Sequence, residues 1–282
     1  MLSELLIPAY PMFQLPLFKR KKVIILGIPY DSSQTFAVGS RFAPDAVRLA
    51  SWGLEEFSFL QRKDVRNADA SDWGNIVTSP GDFKETQKRI NQVLNQIDPK
   101  RLLVLGGEHT ITLATISWLI HNKRRKIYLV LLDAHNDFEQ HYLGNKWSHA
   151  CVLRRIFEIL GPENICVLGL RTSSEKALKE LEESGIKYYT AFEIKDNESI
   201  LQSELKKADV VSIDFDVFDP SFVPETSCPE PFGLDPFVVV KALLKSRPIY
   251  IDLVEITCSV ATSPTAILAA GIARECILIL DH

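Results

Sequence analysis

The sequence lacks most of the features that mark secreted, membrane-spanning or repetitive proteins. Its five cysteines include no Cys-x-x-Cys pair, which favours a reducing compartment over a disulfide framework. No apolar run approaches the roughly 18 residues that a spanning helix needs, and the N-terminal segment lacks the basic start of a signal peptide. There are no internal repeats and no Gly/Ser-rich linkers. We therefore expect a cytoplasmic protein without a membrane partner, in which residues 1–282 form a single domain.

The sequence also lacks an excess of positive charge. Its net charge is −4 and its isoelectric point is near 5.9, which argues against a nucleic-acid partner and is compatible with a cationic substrate. Two basic runs, at 19–22 and 123–126, each stand just before an apolar run. They could form a patch for a polyanion, but we interpret them as solvated residues at the amino end of a sheet.

What the sequence does contain is a regular alternation of apolar runs and helix-like segments. The spacing of apolar residues predicts helices over 82–97, 110–121, 174–184, 235–244 and 265–280. Buried strands are predicted over 23–28, 102–105, 127–132, 165–168, 210–214 and 249–254. This order predicts an α/β fold, a three-layer αβα sandwich with a mostly parallel central sheet of about eight strands. Active sites in such sheets lie beyond the carboxyl ends of the strands.

Two of the predicted strands end in groups that could bind metal. The first is followed by Asp133, His135 and Asp137, and the second ends in Asp214 with Asp216 two positions later. Spacing by two points these side chains in one direction where the backbone stays extended. A loop with a helix-capping Asp is the alternative, but buried strands do not tolerate carboxylates without partners. One histidine and four carboxylates at strand ends indicate a site for two hard divalent cations.

Three further residues follow predicted strands or accompany these motifs. His109 comes after a Gly-Gly-Glu turn at 106–108, whose glycines permit close approach of the backbone; a turn with a capping histidine is the alternative. His149 lies in Ser-His-Ala-Cys at 148–151. It could act as a third imidazole ligand or as a proton shuttle. Glu255 ends the apolar run 249–254, where it either faces the same crevice or pairs with a basic side chain.

Taken together, these motifs resemble the ureohydrolase family of arginases, agmatinases and related Mn-dependent guanidino hydrolases. The resemblance runs from about Gly27 to the end of the chain. It is carried by Gly-Gly-Glu-His at 106–109, Asp-Ala-His-Asn-Asp at 133–137, Ser-His-Ala-Cys at 148–151, Ser-Ile-Asp-Phe-Asp at 212–216 and Val-Glu at 254–255. It implies a homo-oligomer, either a trimer or a hexamer.

The resemblance also implies a cofactor, two Mn²⁺ ions, with other divalent ions possible. In the family pattern one set of side chains would bind the more exposed ion and a second set would bind the deeper ion. Two carboxylates would belong to both sets. The first set is His109, Asp133, Asp137 and Asp214, and the second is Asp133, His135, Asp214 and Asp216. Asp133 and Asp214 would then bridge the two ions.

The catalytic roles are implied in the same way. A hydroxide that bridges the ions would attack the guanidinium carbon of a small cationic substrate. Asp137 would orient the hydroxide, His149 would carry a proton to the leaving amine, and Glu255 would pair with the guanidinium.

The substrate implied most strongly is agmatine, which would yield putrescine and urea and place the enzyme in polyamine biosynthesis. Pro-Glu-Pro at 229–231 resembles the agmatinase branch, and Glu139 occupies a position where arginases commonly carry an asparagine. Together with Glu225 and Glu230, Glu139 would give the site an acidic rim that repels a substrate carboxylate. The loop at 225–228 and the dipeptide at 37–38 depart from the family pattern, so the tail-binding region differs from that of typical relatives.

Other functions remain open at this stage. Within the family they are the hydrolysis of arginine, guanidinobutyrate or formiminoglutamate, and a non-catalytic, metal-binding relative. A binuclear metallophosphatase would use more histidine or asparagine ligands and basic residues for phosphate, which these motifs lack. Three cysteines, Cys151, Cys228 and Cys258, lie near the motifs. We interpret them as small apolar fillers; the alternative is that at least one is an exposed, reactive thiol.

Overall fold

The computed structural model describes residues 2–123 and 126–282. Arg124 and Arg125, in the second basic run, therefore lie outside the described residues. The helices are α1 (Leu2–Leu5), α2 (Ala43–Ser51), α3 (Phe83–Ile97), α4 (Thr110–Lys123), α5 (Val152–Leu160), α6 (Glu175–Ser184), α7 (Ala191–Asp196), α8 (Ser199–Leu205), α9 (Pro236–Leu243) and α10 (Pro264–Leu280). The strands are β1 (Leu6–Ile7), β2 (Val23–Ile28), β3 (Phe57–Ser58), β4 (Lys63–Asp64), β5 (Ala70–Ile76), β6 (Arg101–Gly106), β7 (Leu129–Leu132), β8 (Ile165–Leu170), β9 (Lys187–Thr190), β10 (Val210–Asp214) and β11 (Tyr250–Val254).

Nine of these strands form one sheet, in the order β1-β5-β2-β6-β11-β10-β7-β8-β9. Only β1 runs antiparallel to its neighbour. Successive residues along β2 enter two different buried clusters, Ile25 in one and Ile24 in the other, because neighbouring side chains on a strand point to opposite faces. Both faces of the sheet are thus covered, as the predicted three-layer α/β fold requires, with nine strands rather than about eight.

The six predicted strands are all present, whereas β1, β5 and β9 and the short pair of β3 and β4 were missed. Strand β5 shows why, because it is buried along its whole length yet contains Asp72 and Asn75. Arg48 of α2 donates to Asp72 Oδ2 at 2.9 Å and to Asn75 Oδ1 at 2.6 Å. The partner that permits these polar residues in the core lies more than twenty positions away, so apolar patterning alone could not predict the strand.

The five predicted helices are confirmed, and their starts follow capping rules. Asp82 accepts a hydrogen bond from the backbone N–H of Glu85, and Ser174 accepts one from Ala177, so each is the residue before its helix. Helices α1, α2, α5, α7 and α8 are additional. Helix α5 directly follows the Ser-His-Ala-Cys motif and packs its apolar side against the sheet.

The first basic run lies directly before β2, at the amino end of the sheet. Lys21 Nζ is 3.0 Å from Asp69 Oδ1, and Lys22 Nζ donates to the carbonyl oxygen of Asp281 at 2.5 Å. These contacts within the chain support the interpretation of this run as residues that flank a strand rather than a polyanion patch. Across the two described ranges, no helix is long and apolar enough to span a membrane.

The order of the central strands explains how distant motifs meet. Strands β6, β11, β10 and β7 are consecutive neighbours and parallel, so their carboxyl ends lie at one edge of the sheet. His109 lies three residues beyond the end of β6, Asp133 directly follows β7, Asp214 ends β10 and Glu255 directly follows β11. The topology therefore brings together side chains that are up to 146 positions apart in the sequence.

Candidate active site

His109 lies at the centre of a ring of carboxylates. Its Nδ1 atom is 3.2 Å from Asp133 Oδ2, 3.4 Å from Asp137 Oδ2 and 3.3 Å from Asp214 Oδ2. The histidine is fully buried, and within the described chain its Nδ1 makes no hydrogen bond. A buried ring nitrogen without a hydrogen bond, facing three carboxylate oxygens, is the arrangement expected of a metal ligand.

The other ring nitrogen of His109, Nε2, makes a hydrogen bond on the side of the ring away from the carboxylates. Nε2 lies 3.0 Å from the hydroxyl oxygen of Ser212, which donates to Asp252 at 2.5 Å. Since Ser212 gives its proton to Asp252, Nε2 carries the ring proton and donates to Ser212. Nδ1 is therefore the ring nitrogen that remains to bind a metal ion, as in metal-ligating histidines.

A second group of candidate ligands adjoins the first. His135 Nδ1 is 2.8 Å from Asp216 Oδ2 and 3.9 Å from Asp133 Oδ1. The ligand atoms of Asp133, His135 and Asp216 lie within 4.8 Å of one another, as do those of His109, Asp133 and Asp214. Asp133 belongs to both groups, which fits its predicted bridging role. Asp214 belongs only to the first group, and its Oδ1 accepts the backbone N–H of Asp216 at 2.9 Å.

The site concentrates negative charge out of contact with water. Burial, with repulsion from Asp137, raises the pKa of Asp133 to about 7. Burial, with repulsion from Asp216, likewise raises the pKa of Asp214 well above its ordinary value. Carboxylates packed this closely need cations for full ionisation, and four of them match the charge of two divalent ions.

The two histidines respond to the same field in the opposite direction. Burial alone would lower the pKa of His135, but attraction to Asp216 outweighs it and raises the pKa to about 11. His109 is more deeply buried, yet the surrounding carboxylates Asp133, Asp137 and Asp214 hold its pKa well above the ordinary value. In the absence of metal, protons on these rings would take the place of cations, so metal binding must release them.

Glu255 faces this cluster from the end of β11. Its Oε1 accepts the backbone N–H of His109 at 2.6 Å, and its Oε2 accepts from Gln34 Nε2 at 2.6 Å. Its backbone has φ of 61°, a conformation that non-glycine residues rarely adopt, and its N–H donates to the carbonyl of Gly107 at 2.9 Å. Strain of this kind persists where the surroundings over-determine it, and it is typical of functional sites.

His149 also lines the cavity, in the turn before α5. Its Nδ1 is 3.0 Å from the hydroxyl oxygen of Ser33, and its backbone N–H donates to the same oxygen at 2.9 Å. The ring of Tyr142 meets the imidazole edge to face at a centroid distance of 5.7 Å. Ser33 in turn donates to Glu108 Oε1 at 2.8 Å.

A cavity of about 290 Å³ opens between these elements. The side chains that line it carry many negative charges and, within the described residues, no lysine or arginine. They include Asp137, Glu139, Asp214, Asp216, Glu255, His135, His149, Tyr142, Thr172, Ser173 and Cys228. A cavity of this charge suits a cation and disfavours an anion.

The acidic rim predicted from the sequence is only partly present. Glu139 lines the cavity, whereas Glu225 and Glu230 are absent from the lining residues that the structure describes. The carbonyl of Glu225 accepts the N–H of Thr257 at 3.0 Å, and this pairing holds the segment against the chain beyond β11. The carbonyl of Glu230 accepts from Arg171 at 2.8 Å. The rim prediction is therefore not confirmed for Glu225 and Glu230, although Ser227 and Cys228, which lie between them in the chain, do line the cavity.

The three cysteines near the motifs differ in exposure. Cys151 and Cys258 are buried, and only Cys228 is partly exposed and lines the cavity. Burial raises the pKa of the Cys228 thiol to about 12 and those of Cys151 and Cys258 to about 11. These thiols are therefore neutral near pH 7, which favours the interpretation as apolar fillers.

All eight predicted site residues thus lie around one cavity or directly beneath it, and the structure adds Ser33, Gln34 and Glu108. Glu108 belongs to the Gly-Gly-Glu-His motif, so the sequence offered a signal for it. Ser33 and Gln34 are ordinary polar residues in the loop after β2, and no local pattern distinguishes them. Their significance appears only when the loop folds over the ends of β6 and β11.

The fold and this cluster of carboxylates and histidines define a ureohydrolase, a hydrolase class whose members depend on two metal ions. The model of the arginase family matches residues 21–279, and the chain belongs to this family. Membership confirms the resemblance that the motifs indicated and assigns the chain to the hydrolases.

Several of the relatives are named for agmatine or its derivatives. The chain is 32% identical to the N(1)-aminopropylagmatine ureohydrolase of Thermococcus kodakarensis, over 89% of this chain and 88% of that protein. It is 33% identical to the agmatinase of Pyrococcus horikoshii, over 88% of each. The crystal structure of the agmatine ureohydrolase of Thermoplasma volcanium superposes with a TM-score of 0.82 at 28% identity, covering 93% of this chain and 90% of that one.

Proposed function

We propose that this protein hydrolyses the guanidinium group of a small cationic compound, with agmatine converted to urea and putrescine. The observation that carries the proposal is the charge of the cavity. Its described lining contains Asp137, Glu139, Asp214, Asp216 and Glu255 and no lysine or arginine. A metallophosphatase would need basic residues to hold phosphate, so this lining supports a cationic substrate instead.

The residues at the strand ends fit a pair of divalent ions, which we propose to be Mn²⁺. The fit rests on the buried Nδ1 of His109, which has no hydrogen bond in the described chain and faces three carboxylate oxygens. We assign His109, Asp133, Asp137 and Asp214 to one ion and Asp133, His135, Asp214 and Asp216 to the other. When bound, such a pair of ions supplies Lewis-acid activation of water near neutral pH.

The remaining residues of the site act on the substrate. Glu255 pairs with the guanidinium, since a carboxylate and a guanidinium form two parallel hydrogen bonds. Its position directly beyond β11 places it beside His109. Asp137 orients the attacking water, because its carboxylate lies among the ligands and also lines the cavity. His149, which also lines the cavity, carries a proton to the leaving amine.

The substrate tail is proposed to be a second cation. Glu139 lines the cavity and would attract a terminal ammonium, while it would repel the carboxylate of arginine. Agmatine has such a tail. An aminopropyl derivative of agmatine is the second candidate, supported by the name of the relative from Thermococcus kodakarensis. Homo-oligomerisation and a cytoplasmic location stay predictions of the family resemblance and the sequence.

Urea release from a panel of guanidino compounds tests this function directly. The metal-free protein would be assayed with and without Mn²⁺ on agmatine, aminopropylagmatine, arginine and guanidinobutyrate. We expect Mn-dependent turnover of agmatine or its aminopropyl derivative far above that of arginine. The Asp133→Asn variant should lose activity and half or more of its bound metal. The Asp235→Asn variant should keep both, because Asp235 caps helix α9 and is not one of the proposed site residues. Full activity in metal-stripped protein, or arginine as the best substrate, would contradict the proposal.

A further inference from the structure

Ser33 connects a buried glutamate to the imidazole of His149. Its hydroxyl oxygen is 2.8 Å from Glu108 Oε1, 3.0 Å from His149 Nδ1 and 2.9 Å from the backbone nitrogen of His149. A hydroxyl has one proton to donate and two lone pairs that accept, so it can make three hydrogen bonds, and Ser33 makes all three. The direction of each hydrogen bond can therefore be counted.

The count fixes the proton on the imidazole. The backbone N–H of His149 can only donate, so it occupies one lone pair of the Ser33 oxygen. The hydroxyl proton of Ser33 points to the Glu108 carboxylate, whose other oxygen accepts the backbone N–H groups of Ser32 and Ser33 at 2.6 and 2.7 Å. The remaining lone pair of Ser33 faces Nδ1, so Nδ1 must carry a proton and donate it to Ser33.

We propose that Ser33 is a positioning residue for catalysis, which holds His149 with a proton on Nδ1 and leaves Nε2 to exchange protons in the cavity. A neutral ring in this tautomer has its basic lone pair on Nε2. When Nε2 takes a proton, the ring becomes a donor toward the cavity while Nδ1–H stays bound to Ser33. The kinetic part of this inference rests on the proposed hydrolysis, but the tautomer of His149 does not.

The loop that carries Ser33 is rigidly anchored, which such a role requires. Glu108 is fully buried and also accepts the hydroxyl of Thr110 at 2.6 Å. Its backbone N–H donates to the carbonyl of Tyr30 at 2.7 Å, so the loop after β2 is fixed to the turn after β6 on both sides. These contacts fix the position of Ser33 at the carboxyl ends of the central strands. Through its hydrogen bond, Ser33 in turn fixes the position of the His149 ring.

The other described contacts of the His149 imidazole are a longer polar contact and a ring contact, and neither fixes which ring nitrogen carries the proton. The hydroxyl of Ser148 is 3.4 Å from Nδ1, at the limit of a hydrogen bond, and the contact with Tyr142 is an edge-to-face ring contact rather than a hydrogen bond to the ring nitrogen. Removal of the Ser33 hydroxyl should therefore free the ring to rotate or change tautomer, and it leaves the metal ligands untouched.

Kinetics of Ser33→Ala provide the first test. We expect kcat for agmatine to fall about 10-fold or more while KM stays within about 2-fold, because orientation of the proton carrier is lost and substrate binding is not. Ser33→Thr keeps the hydroxyl and should retain most of the activity. Ser32→Ala is the matched control, because the hydroxyl of Ser32 accepts from the N–H of Gly81 and does not contact His149. An unchanged kcat, or a rise in KM alone, in Ser33→Ala would overturn the role.

Nuclear magnetic resonance of the imidazole provides the second test and needs no substrate. Protein labelled with ¹⁵N-histidine and loaded with diamagnetic Zn²⁺ would be recorded at alkaline pH, and the His149 signals would be assigned with His149→Gln. We expect a neutral ring protonated on Nδ1, and a shift toward the other tautomer in Ser33→Ala but not in Ser32→Ala. A wild-type ring protonated on Nε2, or no change in Ser33→Ala, would refute the inference. Inactivity toward every guanidino compound would refute the proposed hydrolysis and leave the tautomer result standing.

Discussion

Gln34 donates a hydrogen bond of 2.6 Å to Glu255 although 221 positions separate them in the sequence. The amide oxygen of the same Gln34 side chain accepts the backbone N–H of Gly39 at 3.2 Å, so the side chain is held at both ends. Glu255 is the residue proposed to pair with the guanidinium. The loop after β2 therefore fixes one oxygen of Glu255 through Gln34 and the ring of His149 through Ser33.

Replacement of Gln34 by alanine should weaken substrate binding more than turnover. A hydrogen bond to a charged group contributes about 1.5–3 kcal/mol. Without it, Glu255 should be less well positioned, and part of this free energy should be lost from substrate binding. We expect KM for agmatine to rise about 5- to 10-fold in steady-state assays, with a smaller change in kcat. Gln61→Ala is the matched control, since Gln61 donates to Glu275 at 2.9 Å outside the cavity. Equal effects of both variants on KM would count against a specific role for Gln34.

Replacement of Glu139 by glutamine should change substrate preference. This side chain is the only predicted rim carboxylate that the described cavity lining retains, so it is the group we expect to attract a cationic tail. A partly exposed ion pair contributes ~1 kcal/mol, so kcat/KM for agmatine should fall roughly 5-fold while that for arginine is unchanged or rises. Glu183→Gln, on the exposed face of α6 beside Lys179, should alter neither. A uniform loss for both substrates would show that Glu139 does not select the tail.

The metal-free protein should become less stable as the pH rises. Burial raises the pKa of Asp133 to about 7, so between its ordinary value and about 7 the folded state binds more protons than the unfolded state. Stability from this group is therefore present at acid pH and lost as the pH rises through that window. Attraction to Asp216 raises the pKa of His135 to about 11, so its contribution is present below its ordinary value and lost as the pH rises toward about 11.

Urea unfolding of metal-free protein at about pH 5 and about pH 8 measures this effect. Asp133→Asn removes one titrating group, so the variant should gain stability relative to the wild type at the higher pH. Saturating Mn²⁺ should raise the free energy of unfolding more at about pH 8 than at about pH 5, because metal replaces the protons of the site. A gain from Mn²⁺ that is larger at the acid pH would show that the cluster is not the metal site.

The cysteines near the site should resist alkylation in the native protein. The thiol pKa of Cys228 is raised to about 12 by burial, and Cys151 and Cys258 are buried as well. Iodoacetamide at neutral pH should therefore leave all three unlabelled by mass spectrometry and leave activity intact, and Cys228 should react first as the pH is raised. Rapid inhibition at neutral pH that substrate prevents would instead favour a reactive thiol.

The sequence alone determined the parallel sheet and which residues are candidate metal ligands. The apolar run 127–132 is short and ends in polar residues, which indicates a buried strand, and β7 lies within it. A carboxylate directly after such a run, as at Asp133, has to lie at the carboxyl end of the sheet. Local information was sufficient there, because a strand's burial, direction and end are all visible in a short stretch of residues.

The tertiary structure decided which polar residues could be buried and which of them act together. Strand β5 depends on Arg48, which lies in a different element and neutralises Asp72 in the core. Ser33 and Gln34 reach His149 and Glu255 only because the loop after β2 folds over β6 and β11. The backbone of Glu225 pairs with that of Thr257, and its side chain is absent from the cavity lining that the structure describes. Each of these outcomes depends on a hydrogen bond or an ion pair between segments that are distant in the sequence, and no local pattern of residue types contains that information.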